Sequence, residues 1–286
     1  MIDRRQLVGG IAAGLVLPAA HAVPPVIGAW ALLDRATGRV TGARADVRVP
    51  MCSTFKWLLA ACVLWHVDRG RERLDRRVAF AAVDLLDLLD HAPVVAAALA
   101  AGRPLTVGEL CRAAVAVSDN AAANLLLPRI GGPAGLTRWL RGQGDRITRL
   151  DRIEPALNRV PPGDPRDTTT AAAMLRLLDR LLYGPVLAAA SRAQLMAWLL
   201  ACETGATRLK AGLPAGWRIA HKTGTYTTRR PDATDRNVAG DVGVLLPPAG
   251  APPLLIAAWR AGDGYPATAD RWFADLARDA AMRRRG

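Results

Sequence analysis

Near the start of the chain two short runs read as extended, Ile27 to Leu33 and Arg39 to Val47, on either side of Asp34-Arg35-Ala36-Thr37-Gly38. A polar turn closed by glycine between two such runs predicts a β-hairpin. From Ser53 the period lengthens: Trp57, Leu58, Ala61, Cys62, Leu64 and Trp65 recur at helical spacing and predict a helix that is buried on one face or more. Thr106-Val107-Gly108-Glu109 and Ser191-Arg192-Ala193-Gln194 both have the capping-box pattern and predict two further helix starts. Met174 to Leu182 reads as another helix, ended by Gly184-Pro185. The helical pattern breaks over residues 151–168, a stretch rich in Pro, Gly, Asp and Arg; a loop of that length inside a compact domain usually carries function. Strand character returns at Trp217 to His221, Val242 to Leu246 and Leu254 to Trp259, and an amphipathic helix around Trp272, Phe273 and Leu276 closes the chain.

Strands at both ends around a helical middle predict one sheet assembled from the two termini. The expected fold class is α/β of the α+β type: an antiparallel sheet flanked by helices, with an inserted all-helical lobe. Residues 23–52 and 203–286 are assigned to the sheet lobe and 53–202 to the helical lobe, which includes the loop 151–168. A cleft is expected where the ends of the helical insert meet the sheet.

Composition supports this picture, since 286 residues with 51% hydrophobic content exclude global disorder. The net charge of +13 is spread and interleaved with acids, as in Arg71-Glu72-Arg73 and Asp75-Arg76-Arg77, so a solvated basic surface is expected and no nucleic-acid partner. Residues 1–22 read as an export leader: Arg4-Arg5, the apolar stretch Val8 to Ala20, and the small-x-small site Ala20-His21-Ala22. Paired arginines fit the twin-arginine route or an ordinary charged leader, and the apolar stretch is too short to span a bilayer. A periplasmic or secreted protein follows. The four cysteines lack metal-ligand spacing; Cys62 with Cys111 is the first disulfide to test, against four buried free thiols. No metal or cofactor is expected, and His21, His66 and His221 have no motif partners.

The chain has only three lysines, Lys56, Lys210 and Lys222, and two of them fall in motifs. Ser53-Thr54-Phe55-Lys56 opens a helix, which puts the two polar side chains one turn apart on the same face, and an amine there can take or relay the serine proton. An N-cap with a surface charge would have the same sequence. Ser118-Asp119-Asn120 supplies a hydroxyl and an amide, though alone it reads as an N-cap. Lys222-Thr223-Gly224-Thr225 ends the strand from Trp217, and its glycine marks a close approach by backbone or ligand. In the long loop Glu154 and Asn158 can hold one water between them, and Arg152 with Asp167 could close the neck by an ion pair.

The four elements, in this order, resemble the signature set of the class A β-lactamases. The likeness runs from about Gly28 to the C-terminal helix and includes Gly163-Asp164-Pro165-Arg166-Asp167-Thr168-Thr169 and Ala211-Gly212-Leu213-Pro214. It implies a β-lactamase/transpeptidase-like fold and hydrolysis of β-lactams through an acyl-enzyme on Ser53. In that scheme the backbone N–H groups of Ser53 and Thr225 hold the oxyanion. Ser118 protonates the leaving nitrogen with Lys222 behind it, and Lys56 or Glu154 takes the serine proton. Glu154 and Asn158 position the deacylating water. Asn120 would bind the acylamide, and Thr223, Thr225 and Arg208 the carboxylate. The substrate is then a small β-lactam and the enzyme a monomer. The chain departs from the family at His91, where an aromatic ring is usual, and at residues 226–239, which are longer and more charged. It also departs at Val23-Pro24-Pro25-Val26, which stands where a first helix is usual. A penicillin-binding D,D-peptidase or a non-hydrolytic β-lactam sensor shares the serine and lysine motifs, but the Glu154 and Asn158 loop argues against both.

Overall fold

The computed structural model describes residues 28–82, 88, 91–161, 163–228, 237–262 and 267–284. The leader-like segment, Val23 to Val26, and residues 229–236 of the charged stretch lie outside them. Among the described residues no helix is long and apolar enough to cross a membrane.

The chain opens with β1 (Ala29–Asp34), β2 (Val40–Ala43) and β3 (Arg48–Pro50), then passes through a 3-10 turn at Cys52–Thr54 into α1 (Phe55–Val67). There follow β4 (Arg77–Val78), α2 (Pro93–Ala100), β5 (Leu105–Thr106), α3 (Val107–Ala116), α4 (Asn120–Leu126) and α5 (Gly132–Gly142). After the long loop come β6 (Thr168–Thr170), α6 (Ala171–Leu182), α7 (Ala189–Leu200) and the short α8 (Leu209–Gly212). The chain closes with β7 (Arg218–Tyr226), β8 (Val238–Leu246), β9 (Leu254–Ala261) and α9 (Ala267–Met282).

Both ends of the chain build one antiparallel sheet in the order β2-β1-β9-β8-β7. The predicted hairpin is β1–β2, and Asp34 fixes its turn by accepting from Ala36 N at 2.8 Å through its carboxylate and from Gly38 N at 2.8 Å through its carbonyl. The inner strands β8 and β9 are buried on both faces, so they read as near-continuous apolar runs. Leu254, Ile256 and Ala258 of β9 pack with Phe273, Ala277 and Ala280 of α9 on one face. Leu255, Ala257 and Trp259 turn the opposite way, into the larger core shared with Met174 and Leu178 of α6. Alternate side chains of a strand point to opposite faces, so one strand serves two layers. Helix α1 is apolar all round, with Phe55 to Leu64 buried, which is the signature of a helix at the centre of a domain.

Helix α3 has the predicted capping box, with Glu109 N donating to Thr106 Oγ1 at 3.1 Å and Thr106 N to Glu109 Oε2 at 2.7 Å. The second capping box does not form. Helix α7 begins at Ala189, and the Ser191 hydroxyl donates instead to Asp68 Oδ1 at 2.5 Å, while Ala188 N donates to Asp68 Oδ2 at 2.7 Å. A carboxylate from the end of α1 thus caps α7, a partner that local pattern does not reveal. Strand β7 runs on to Tyr226, because β8 begins at Val238 and its ladder pairs Tyr226 with Val238. The segment Lys222 to Thr225 therefore lies inside the strand and does not end it. All four cysteines are buried and free, so Cys62 and Cys111 are not joined.

Candidate active site

Ser53 sits in the 3-10 turn that feeds α1, and Lys56 follows in the first turn of the helix. Thr54 holds the turn by donating to Met51 O from its backbone N at 3.1 Å and its hydroxyl at 2.7 Å. Cys52, just before the serine, has φ 44°; Ser118 has φ 63° and Asp167 φ 57°. Non-glycine residues in this region are strained by roughly 1–3 kcal/mol each, and such strain gathers at functional sites. These three lie at or beside the motifs, and the two others among the described residues, Arg44 and Ala249, lie in turns away from them.

The Lys56 ammonium is fully buried and ties three motifs together. Nζ donates to Ser118 O at 2.8 Å, to Ser118 Oγ at 3.4 Å and to Asn120 Oδ1, and pairs with Glu154 Oε1 at 3.1 Å. Asp119, between Ser118 and Asn120, is the predicted helix cap: Oδ1 accepts from Ala122 N at 2.8 Å. Its Oδ2 accepts from Val94 N at 2.9 Å and Val95 N at 3.1 Å, which anchors the start of α2. The triplet thus divides its work, with the middle residue capping and the outer two facing Lys56.

The long loop is closed at its neck as expected, with Arg152 Nε 2.6 Å from Asp167 Oδ2. Asp167 Oδ1 also accepts from Asp151 N at 2.7 Å and Arg152 N at 3.0 Å. Glu154 is pinned by a residue that the sequence reading passed over: Asn124 of α4 accepts from Glu154 N at 3.0 Å and donates to Glu154 O at 2.9 Å. Held there, the buried carboxylate accepts from Ser53 Oγ at 3.5 Å through Oε1 and from Asn158 Nδ2 at 2.5 Å through Oε2. Asn158 Oδ1 is buried with no partner in the protein.

Strand β7 forms the facing wall. A Cβ on Gly224 would lie 2.7 Å from Met51 O and 3.0 Å from Thr54 N, so the missing side chain is what lets the strand press against the serine turn. Arg208 spans two strands: Nη1 donates to Gly224 O at 3.1 Å and Gly240 O at 3.0 Å, and Nη2 to Thr225 Oγ1 at 2.7 Å. Between the walls lies a cleft of about 430 Å³, lined by Ser53, Ser118, Asn120, Asn158, Arg208, Thr223 and Thr225 together with His91, Pro155, Thr204, Gly205, Tyr226 and Thr227. Lys56, Glu154, Lys222 and Gly224 are buried behind this lining.

A model of the β-lactamase enzyme family matches residues 22–283. The chain belongs to that family. It is 48% identical over 228 residues to β-lactamase L2 of Stenotrophomonas maltophilia, which covers 80% of this chain and 71% of the relative. Among solved structures it resembles an ancestral class A β-lactamase at 48% identity and TM-score 0.82, over 90% of this chain and 94% of that one. A β-lactamase from Xanthomonas campestris is similar at 45% identity and TM-score 0.82, over 89% and 91% of the two chains. The protein is a serine β-lactamase of class A, a hydrolase of β-lactams, with the class A fold.

Burial acts on both site lysines of this β-lactamase. It pushes the Lys56 ammonium below its ordinary pKa, with Glu154 opposing the shift. Burial, joined by repulsion from Lys56, lowers Lys222 to about 7, and its hydrogen bond is to Thr223 O at 2.8 Å. No motif gives His221 a partner, and a surface or packed histidine is the expectation from sequence. It is the packed kind: His221 is buried, and its Nδ1 lies 2.8 Å from Asp241 Oδ1 of β8. Burial alone would lower its pKa, but the Asp241 charge and hydrogen bond raise it to about 10. Asp241, Thr204 and Gly205 had no motif to announce them; only the β7–β8 register and the packing behind β7 bring them to the site.

Proposed function

We propose that the β-lactamase works by a two-step mechanism in which Ser53 Oγ attacks the lactam carbonyl, Lys56 or Glu154 takes its proton, and Glu154 is the base that activates the deacylating water. The observation that carries this reading is the position of the Glu154 carboxylate, within hydrogen-bond reach of Ser53, Lys56 and Asn158 at once. At 3.5 Å the contact with Ser53 is at the outer limit of a hydrogen bond, so the first proton transfer passes through a bridging water or a small closure on binding. Lys56 stabilises the ionised carboxylate and orients Ser118 and Asn120. The N–H groups of Ser53 and Thr225 receive the oxyanion, which is worth about 3–4 kcal/mol for a well-placed donor. Ser118 delivers a proton to the ring nitrogen, with Lys222 behind it. Asn120 takes the acylamide of the substrate, while Thr223, Thr225 and Arg208 receive its carboxylate across the Gly224 backbone. A water held by Glu154 and the unpaired Oδ1 of Asn158 then releases the product.

Class A β-lactamases are exported, and residues 1–22 are the leader, their paired arginines suiting the twin-arginine route. The enzyme acts as a monomer in the periplasm or outside the cell. His91, Tyr226 and Thr227 at the cleft edge set which substrate side chains are admitted.

The test is steady-state hydrolysis of a chromogenic cephalosporin by the wild type and by Glu154→Ala, with mass spectrometry of the intact protein. Turnover by the wild type and an acyl adduct on Ser53 that accumulates in Glu154→Ala are expected, with turnover reduced by about 10²–10⁴. A variant that turns over within a few fold of wild type, or an adduct elsewhere than Ser53, would overturn the scheme.

A further inference from the structure

Of the four buried cysteines, three are packed in apolar surroundings or against a carboxylate, and burial pushes the Cys52, Cys62 and Cys111 thiols upward. Cys202, just after α7, is different in its neighbours. The His221 imidazole lies against its sulfur and is itself held by Asp241 at 2.8 Å, so a thiol, an imidazole and a carboxylate stand in series. The ring's Nε2 is buried and makes no hydrogen bond of normal geometry. On its other side Cys202 Sγ meets Thr204 Oγ1 at 3.3 Å, and Thr204 Oγ1 meets Thr223 Oγ1 at 2.6 Å. Thr204 and Thr223 both line the cleft, so the sulfur stands one residue behind the substrate wall. Gly205 keeps the layer thin, since a Cβ there would lie 2.5 Å from Thr223 Cγ2 and 3.6 Å from His221 Cε1. Cys202 is 6% exposed, against 1% for Cys52 and 0% for Cys62 and Cys111.

We propose that Cys202, with His221 and Asp241, forms a second nucleophilic centre behind the cleft wall, a site of modification by small peroxides that is linked to turnover through Thr204 and Thr223. His221, held as the imidazolium by Asp241, stabilises the thiolate that Cys202 becomes when its proton leaves to solvent, and the thiolate attacks one peroxide oxygen. The O–O bond breaks as sulfur loses two electrons to the peroxide, and the departing hydroxide takes the imidazolium proton, leaving a sulfenic acid and water. Although burial raises a thiol, His221 and the nearby Lys222 bring Cys202 down to about 7, which leaves a substantial thiolate fraction at neutral pH. The added oxygen must displace the Thr204 hydroxyl, and with it the Thr223 hydroxyl at the cleft.

The experiment treats folded wild-type enzyme with hydrogen peroxide in the presence of dimedone, quantifies adducts at each cysteine by mass spectrometry, and follows cephalosporin hydrolysis in parallel without dimedone. Cys202 is expected to be labelled at least tenfold faster than the other three cysteines and to lose that advantage in His221→Asn. Activity is expected to fall in step with Cys202 oxidation, whereas Cys202→Ser keeps its own untreated activity under the same peroxide. Equal labelling of all four wild-type cysteines would overturn the nucleophilic centre. Selective labelling with undiminished hydrolysis would overturn its link to the cleft.

Discussion

The two walls of the cleft each bury a lysine, and they treat it differently. On the helical side Lys56 has a carboxylate at 3.1 Å and three further acceptors, so its charge is compensated where it stands. On the sheet side Lys222 has a backbone carbonyl at 2.8 Å, and the nearest carboxylate system, Asp241, is engaged with His221. Equal burial therefore lowers both lysines, with an ion-pair partner beside the ammonium in one wall and a carbonyl in the other. Desolvation sets the direction for both, and Glu154 opposes it at Lys56.

The widest contrast comes from replacing each lysine with methionine. Lys56→Met leaves Glu154 buried without its cation, and a loss of stability of about 3 kcal/mol or more is expected in urea unfolding, together with a fall in turnover of at least 100-fold. Lys222→Met removes a buried charge that lacks an ion-pair partner, so the folded protein should become more stable at low pH even as hydrolysis weakens. The sign follows from the folded pKa of about 7 against an ordinary value of 10.5. Below pH 7 the lysine is charged in both folded and unfolded chains and the burial penalty is complete; above pH 10.5 it is neutral in both and the penalty is gone. The gain in Lys222→Met is thus expected at pH 6, on the order of a few kcal/mol at most, and should vanish near pH 10. A variant less stable than wild type at pH 6 would show that the two walls do not differ in this way.

A smaller effect tests how the Lys56 wall keeps its partner. Arg152→Ala leaves the buried Asp167 carboxylate without its cation at the loop neck, with an expected cost of roughly 1–3 kcal/mol. Because the loop carries Glu154, deacylation should slow more than acylation, and stopped-flow hydrolysis should show a burst that the wild type lacks. Equal slowing of both steps would mean that the neck does not position the carboxylate.

These differences explain what could be read from the chain in advance. The chemistry of Ser53 and Lys56 depends on one helical turn, and a capping box such as that of Thr106 and Glu109 depends on four consecutive residues, so local spacing sufficed. The short apolar runs of β8 and β9 and the helical period of α1 likewise announced a sheet from both termini around buried helices. The cap of α7 by Asp68 and the pinning of Glu154 by Asn124 join residues far apart in sequence, and nothing in the local pattern marks them. The position of Lys222 inside its strand was misread because strand length depends on the ladder that β8 extends to Val238.

The sequence by itself determined the periods of the elements, the order of the motifs and the residue types able to do acyl-transfer chemistry, because these follow from steric and chemical properties within a few residues. Tertiary structure alone decided which buried charge meets a partner, how Asp241 raises His221, and that Cys202 comes to lie behind the cleft. Those outcomes depend on desolvation and on distances of a few ångströms between segments that only packing brings together.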